Sequence, residues 1–221
     1  MTLRPAKGNM YDFVTHTYNA IKGKCPHDCI YCYMKIFPLG DMRLDNRALT
    51  LDLGTGNFIF VGSSCDMFAD SIPEDWIIKT LNHCSQFNNK YLFQSKNPKR
   101  ILALAKYLPK DVVIGTTIES NRHYVKIMGN APNPSDRALH MGMLHVRGFK
   151  TMVTIEPILD FDSIELAGLI RSCSPDWVNI GADSKGHHMP EPSKDKINDL
   201  IIKLYSITEI RKKTNLGRLM V

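Results

Sequence analysis

The sequence predicts a single α/β domain in which six parallel strands form an incomplete (β/α)6 barrel. Three observations carry this. Six short apolar runs recur at fairly even intervals, amphipathic stretches with helix-start signals lie between them, and no linker, low-complexity tract or repeat interrupts the 221 residues. Strand–helix alternation implies parallel strands joined by right-handed crossovers, and a chain of this length suits one domain. Six units rather than eight point to a barrel open on one side, although a flat doubly wound sheet shares the local signature.

The strands come in order. Thr15 to Ile21, β-branched and aromatic, opens the series. Phe58 to Gly62, Tyr91 to Ser95, Val112 to Ile118, Met152 to Ile155 and Trp177 to Gly181 follow. Near-continuous apolar runs of this kind are what strands buried on both faces require. Pro73-Glu74-Asp75 starts a helix whose apolar residues are Trp76, Ile77, Ile78 and Leu81. Asn97-Pro98 opens a second, with Ile101, Leu102, Leu104 and Ala105 on one face. Ser135 is the expected cap of a helix ending near Gly148, and Asp162 or Ser163 caps the next, with Leu166, Leu169 and Ile170. Ser193 caps the last, where Ile197, Leu200, Ile201, Leu204 and Ile207 keep helical spacing. Residues 129–135 read as a loop from their Gly, Asn and Pro content. In either topology, active residues belong at the C-terminal ends of the strands.

Composition narrows the class. A hydrophobic fraction of 43% and a charged fraction of 23% are ordinary for a soluble globular chain. No apolar run approaches the roughly 20 residues that span a bilayer. Met1 to Met10 is polar and basic with no apolar segment behind it, so a secretory signal is not expected and a cytoplasmic, reducing location is. Six cysteines there argue for metal or catalysis rather than disulfides. The net charge of +6 fits an anionic partner such as nucleic acid or a phosphorylated metabolite. Lys99, Arg100, Lys106, Lys110, Arg122, Lys126, Arg211, Lys212 and Lys213 are candidate phosphate contacts, or else a solvated face.

The chemistry is concentrated in Cys25-Pro26-His27-Asp28-Cys29-Ile30-Tyr31-Cys32-Tyr33. Three thiolates in one tight loop can hold three irons of a [4Fe–4S] cube and leave the fourth open. Electron-transfer clusters normally have four cysteines, so an open iron suits substrate binding. The alternative is a Cys3His zinc site using His27 or His16, in a non-catalytic module that binds nucleic acid through its basic surface. Cys84 and Cys173 lie in helical stretches and read as small core residues. His187 and His188 fall in a polar loop after the last strand.

Cys-x3-Cys-x-aromatic-Cys, with Tyr31 as the aromatic, resembles the signature of the radical S-adenosylmethionine (SAM) superfamily. Together with residues 60–68, Phe93 to Pro98 and Thr154 to Pro157, it is similar to a phage and bacterial family related to spore photoproduct lyase. The resemblance implies a partial (β/α)6 TIM-like barrel, with residues 1–221 as one radical SAM core domain. It implies a [4Fe–4S] cluster on Cys25, Cys29 and Cys32, with SAM on the open iron. Tyr31 would lie by the adenine, with Tyr33 in the same cofactor site. Where the superfamily presents a Gly-Gly-Glu-like stretch to the SAM amino group, this chain has Gly62-Ser63-Ser64-Cys65-Asp66. Ser63, Ser64, Cys65 and Asp66 are therefore the candidates there, with Asp66 alternatively a turn cap.

Lys96 resembles the lysine that neutralises the SAM carboxylate in that lyase. Thr117 and Glu119 are expected at the ribose hydroxyls. Glu156 is expected on SAM or substrate, the alternative being an ion pair with Arg122 or Lys150. The lyase's hydrogen-donor cysteine falls on Ser63, which leaves Cys65 as a pocket-wall residue. The implied activity is reductive cleavage of SAM to a 5′-deoxyadenosyl radical for hydrogen abstraction. Its partners would be a one-electron reductant of the flavodoxin or ferredoxin type, a nucleic-acid base or nucleotide as candidate substrate, and a protein closing the open side of the barrel.

Overall fold

A computed structural model describes residues 3–7 and 11–221. Half of the N-terminal stretch read above for a secretory signal, at Met1, Thr2 and Gly8 to Met10, lies outside the described residues. Among the described residues ten strands form: β1 Arg4–Pro5, β2 His16–Tyr18, β3 Ile21–Lys22, β4 Arg43–Leu44, β5 Phe58–Val61, β6 Lys90–Gln94, β7 Val112–Thr117, β8 Lys150–Ile155, β9 Trp177–Ile180 and β10 Glu209–Lys212. Six α-helices accompany them: α1 Glu74–Cys84, α2 Pro98–Ala103, α3 Val125–Met128, α4 Pro134–Val146, α5 Ser163–Cys173 and α6 Lys194–Tyr205.

The eight-stranded sheet runs β1-β2-β5-β6-β7-β8-β9-β10, and every pairing but β1–β2 is parallel. The six expected strands form its continuous middle. β1 and β10 lie at opposite ends and do not pair with each other, so the barrel is incomplete. Every crossover from β5 onward contains an α-helix. The first, from β2 to β5, contains only the cysteine loop, the β3–β4 hairpin and short 3-10 turns.

Alternation along the strands separates two cores. Ile59, Val61, Tyr91, Phe93, Ile114, Val153, Val178 and Ile180 face the helices and pack with Ile77, Leu81, Ile101, Met141, Leu166, Ile170, Ile197 and Leu200. Leu92, Val113, Met152 and Trp177 form the other core, with Phe58 and Phe60 packed against it. Tyr11, Phe13 and Val14, ahead of β2, fill that concave side. The Tyr11 and Phe13 rings stack at 5.4 Å, and Phe13 meets Phe58 at 4.9 Å and Trp177 edge-on at 5.5 Å. From β10, the Arg211 guanidinium lies 4.4 Å above Trp177, and Lys213 just beyond it sits 4.9 Å above Tyr11. An edge strand written Glu-Ile-Arg-Lys is thus held by cations on aromatic faces rather than by an apolar stripe.

Several boundaries differ from expectation. The expected strand Thr15 to Ile21 divides into β2 and β3, which pairs with β4 in a separate sheet, and α2 ends at Ala103, short of Leu104 and Ala105. Asn133, not Ser135, caps α4: its side chain accepts from Ser135 N, and Pro134 takes the first helical position, where its missing N–H is harmless. Helix α6 ends at Tyr205, two residues before Ile207, and Ser193 caps it as expected. Among the described residues no helix is long and apolar enough to cross a membrane.

Candidate functional site

A cavity of about 1220 Å³ opens at the C-terminal ends of the strands. Its wall includes Cys25, Cys29 and Cys32 from the loop after β2, Gly62, Ser63 and Asp66 after β5, and Gln94 to Lys96 at the end of β6. Thr117 ends β7, Glu156 follows β8, and Asp183 and Lys213 come after β9 and β10. Parallel strands put all their C-terminal ends on one face, which is why residues so distant in sequence meet here.

The cysteine loop is pinned by its neighbours. Asp28 N bonds Cys25 O at 3.2 Å, and Cys32 N bonds Cys29 O at 3.2 Å, folding the loop into two turns. The α3 region braces it: Asn130 N donates to His27 O at 2.7 Å, Ile30 N to Ile127 O at 3.0 Å, and Cys29 Sγ to Met128 O at 3.2 Å. Gly129 is required at this junction. Its φ is +62°, and a Cβ there would stand 2.1 Å from His27 O.

His27 ties the loop to the next two strands. Its Nε2 is 2.8 Å from Asp66 Oδ2, which also accepts from Ser95 Oγ at 2.9 Å and Lys96 N at 2.8 Å. Asp66 Oδ1 accepts from Phe68 N at 3.0 Å, the turn-capping role open to it. Burial alone would raise the Asp66 carboxyl, but His27 and the N–H donors outweigh it and hold it below its ordinary value. To act as a fourth ligand in a Cys3His zinc site through Nε2, His27 would have to leave Asp66. Among the described residues no three His, Cys, Asp or Glu side chains converge on a single ion.

Cys65 is 2% exposed and does not line the cavity. Its thiol hydrogen bond holds the Cys25 thiol below the ordinary value, while the same contact and burial push Cys65 up. Ser63 and Ser64 are both fastened to Asn19, at 3.1 Å through Ser63 Oγ and 2.9 Å through Ser64 N, and Ser63 O accepts from Tyr33 Oη at 2.7 Å.

Beneath the cavity lies a buried charge network. Glu119 and Arg137 are both fully buried and meet at 2.7 Å. Arg137 also donates to Thr117 O at 2.9 Å and Pro132 O at 2.6 Å. Tyr31 Oη donates to Glu119, and Lys96 Nζ lies 3.6 Å from the same carboxylate and 4.7 Å above the Tyr31 ring. Burial would raise the Glu119 carboxyl, but Arg137 and Lys96 prevail and hold it low. Burial likewise opposes the Lys96 charge, yet Cys29 and Glu119 keep its ammonium above the ordinary value. Glu119 itself is shut off from the cavity; what it presents there is Tyr31 and Lys96.

On the far side of the cavity, Glu156 accepts from Lys213 Nζ and from Asn215 Nδ2, each at 2.7 Å. Its ion-pair partner is therefore Lys213, and not Arg122 or Lys150. Arg122 is bound instead to Asp160 and Asp162. Tyr11 Oη donates to Gln94 at 2.8 Å, and Gln94 donates to Thr117 at 3.2 Å. His188 lines the cavity, whereas His187 is bound to Asp183 at 2.7 Å. Of the basic residues expected at phosphates, Arg100 is committed to the backbone carbonyls of Ala69, Asp70 and Ile72. Arg122, Arg211 and Lys213 are likewise engaged within the fold, while Lys99, Lys106, Lys110, Lys126 and Lys212 remain exposed.

Sequence reasoning did not single out Arg137, Asn19, Gln94 or Asn215. Arg137 had a signal: it stands at i, with Met141 at i+4 and Leu144 at i+7, on the buried stripe of α4. The others have none, because their partners are distant strand ends.

Solved structures with this arrangement of strands exist. The chain superposes on a structure titled as a cysteine-to-serine mutant of spore photoproduct lyase with a TM-score of 0.67, at 10% identity over 96% of this chain and 80% of that one. It superposes on methylornithine synthase with a TM-score of 0.55, again at 10% identity, over 88% of this chain and 63% of the other. Both are radical SAM enzymes. What the chain shares with both is the fold of the barrel. No family model and no curated protein sequence matches the chain. At such identity the radical SAM likeness concerns the barrel, and the chemistry rests on the residues at its mouth.

Proposed function

We propose that the chain is a radical SAM enzyme acting on a nucleic-acid base or nucleotide. The observation that carries the first part is the placing of Cys25, Cys29 and Cys32 on one wall of a single large cavity at the strand ends of this barrel. As a donor set they fit three irons of a [4Fe–4S] cluster: soft sulfur ligands on one loop, all three lining the cavity. When bound, the reduced cluster supplies the electron that splits SAM into methionine and a 5′-deoxyadenosyl radical, which removes a hydrogen atom from the substrate.

The chain's own residues bind, orient and shield. Lys96, paired with Glu119, neutralises the SAM carboxylate. Tyr31, fixed through its hydroxyl, offers its ring to the adenine. Ser63 and Tyr33 form the wall for the amino group, with Ser64 behind them fastened to Asn19, Asp66 holds that wall to the cysteine loop, and Thr117 faces the ribose. Glu119 and Cys65 act from behind, the first through Lys96 and Tyr31 and the second on Cys25. The side lined by Tyr11, Phe60, Gln94, Glu156 and Asn215 is left for the substrate. Aromatic faces, two amides and a carboxylate suit a flat heterocycle with N–H donors, and the net charge of +6 suits phosphates.

Anaerobic reconstitution with iron and sulfide, followed by dithionite and SAM, tests this directly. A brown protein with about four irons that forms 5′-deoxyadenosine is expected. Cys25→Ala, Cys29→Ala and Cys32→Ala should each abolish both properties. A colourless zinc protein, or full activity in any one variant, refutes the assignment. Adding DNA, RNA or nucleotide pools to the same assay should change the 5′-deoxyadenosine yield for one of them.

A further inference from the structure

Helix α4 is apolar on two opposite sides. Arg137, Ala138, Met141 and Leu144 are buried in the fold. Leu139, Met143 and Val146, at i, i+4 and i+7, form a second stripe on the far side and are 58%, 45% and 85% exposed. Among the described residues none covers them, and none of the three lines the cavity. Three apolar side chains in line at this spacing form a seam suited to a second helix.

We propose that this stripe is a self-association face, with α4 of one copy lying antiparallel along α4 of a second copy about a two-fold axis. Charge selects the occupant. Asp136 in the first turn and Arg147 at the C-cap stand about three helical turns apart, so both lie along the same side of the stripe. Both are exposed, and neither has an ion-pair partner among the described residues; the Arg147 guanidinium touches only Leu102 O, at 3.3 Å. A two-fold axis through the middle of the helix sets Asp136 opposite the partner's Arg147, and Arg147 opposite the partner's Asp136, so an ion pair closes each end of the seam. The same axis sorts the apolar residues. Along the seam come the partner's Val146, Leu139, the partner's Met143, Met143, the partner's Leu139 and Val146, so that the side chains interleave. Reversed helices also set their dipoles in opposition. A lipid surface would call for a border of cations, whereas charges of both signs at the two ends of one helix match that same helix turned round. The paired barrels point their cavities in opposite directions, and both stay open. A seam of one helix pair falls short of the roughly 1,200 Å² of a stable interface, so the association is weak and depends on concentration.

Sedimentation velocity of the full chain, from about 5 to about 500 μM, tests this. The wild type should pass reversibly from monomer to dimer across that range. Leu139→Glu and Met143→Glu each bring two like charges into the seam and should weaken dimerisation by about tenfold or more. Asp136→Arg and Arg147→Asp should each weaken it by setting like charges opposite one another, and added salt should weaken the wild type. Combining the two reversals rebuilds both ion pairs with their signs exchanged and should return dimerisation to near the wild-type level. Ile202→Glu, on an exposed apolar residue of α6, should change nothing. Urea unfolding of each variant separates loss of the dimer from loss of the fold. The proposal is overturned if the wild type stays monomeric throughout, if Leu139→Glu and Met143→Glu dimerise as tightly as it does, or if the combined reversal fails to recover what the single ones lose. A wild-type monomer that sediments with anionic lipid vesicles would make a membrane surface the occupant and overturn it equally.

Discussion

Replacing Arg137 by Met isolates the buried charge network under the cavity. The guanidinium is fully buried and gives up an ion pair to Glu119 at 2.7 Å and two carbonyl hydrogen bonds in the exchange. Breaking one partner of a buried pair typically destabilises by about 3–5 kcal/mol, because the other charge is stranded. Lys96, 3.6 Å from the same carboxylate, remains as partial compensation, which places the expected loss near the lower end, at about 3 kcal/mol. Urea unfolding of the metal-free chain measures it. Adding Glu119→Gln should recover at least about 1 kcal/mol, since the stranded charge is then gone. Acid titration supplies a second check. Glu119 has a lowered folded pKa, so its contribution is present above its ordinary value of 4.5 and is lost as the pH falls through the folded value. In Arg137→Met that acid-side loss should shrink. A single-variant loss under about 1 kcal/mol, or strict additivity in the double variant, would refute the network.

Other perturbations read other parts of the site. Lys96→Ala should weaken SAM binding by about tenfold or more, from the lost charge-assisted contact, with iron content unchanged; isothermal titration and iron analysis separate the two. Gly129→Ala drives a Cβ into His27 O and should lower iron retention after reconstitution, whereas Gly168→Ala, which has open space around it and an ordinary helical backbone, should not. Asn133→Ala removes the α4 cap and should cost about 1 kcal/mol in urea unfolding with SAM cleavage intact.

The six central strands were legible because both of their faces are buried, which writes them as unbroken apolar runs. Strand β10 was not, since its inward side chains are Arg211 and neighbours that rest on aromatic rings, and charged residues in a row read as surface. The β3–β4 hairpin pairs only two residues on each side, too few for any periodicity. In the site, the cysteines could be found because their spacing is local. The role of Asp66 in bracing His27 could not, because the two are 39 residues apart and meet only when neighbouring strands align. Glu156 was placed correctly at a strand end, but its partner came from Lys213, in a segment whose strand was itself unseen.

A wall with a gap in it needs a strut. Here the strut is a pair of rings, Tyr11 and Phe13, wedged across the hollow and clamped by Arg211 of the last strand and Lys213 just beyond it. One of those cations, Lys213, has its ammonium on Glu156 at the rim. The spread of the opening is therefore mechanically linked to the packing of its floor, with a single lysine serving as the rod between them.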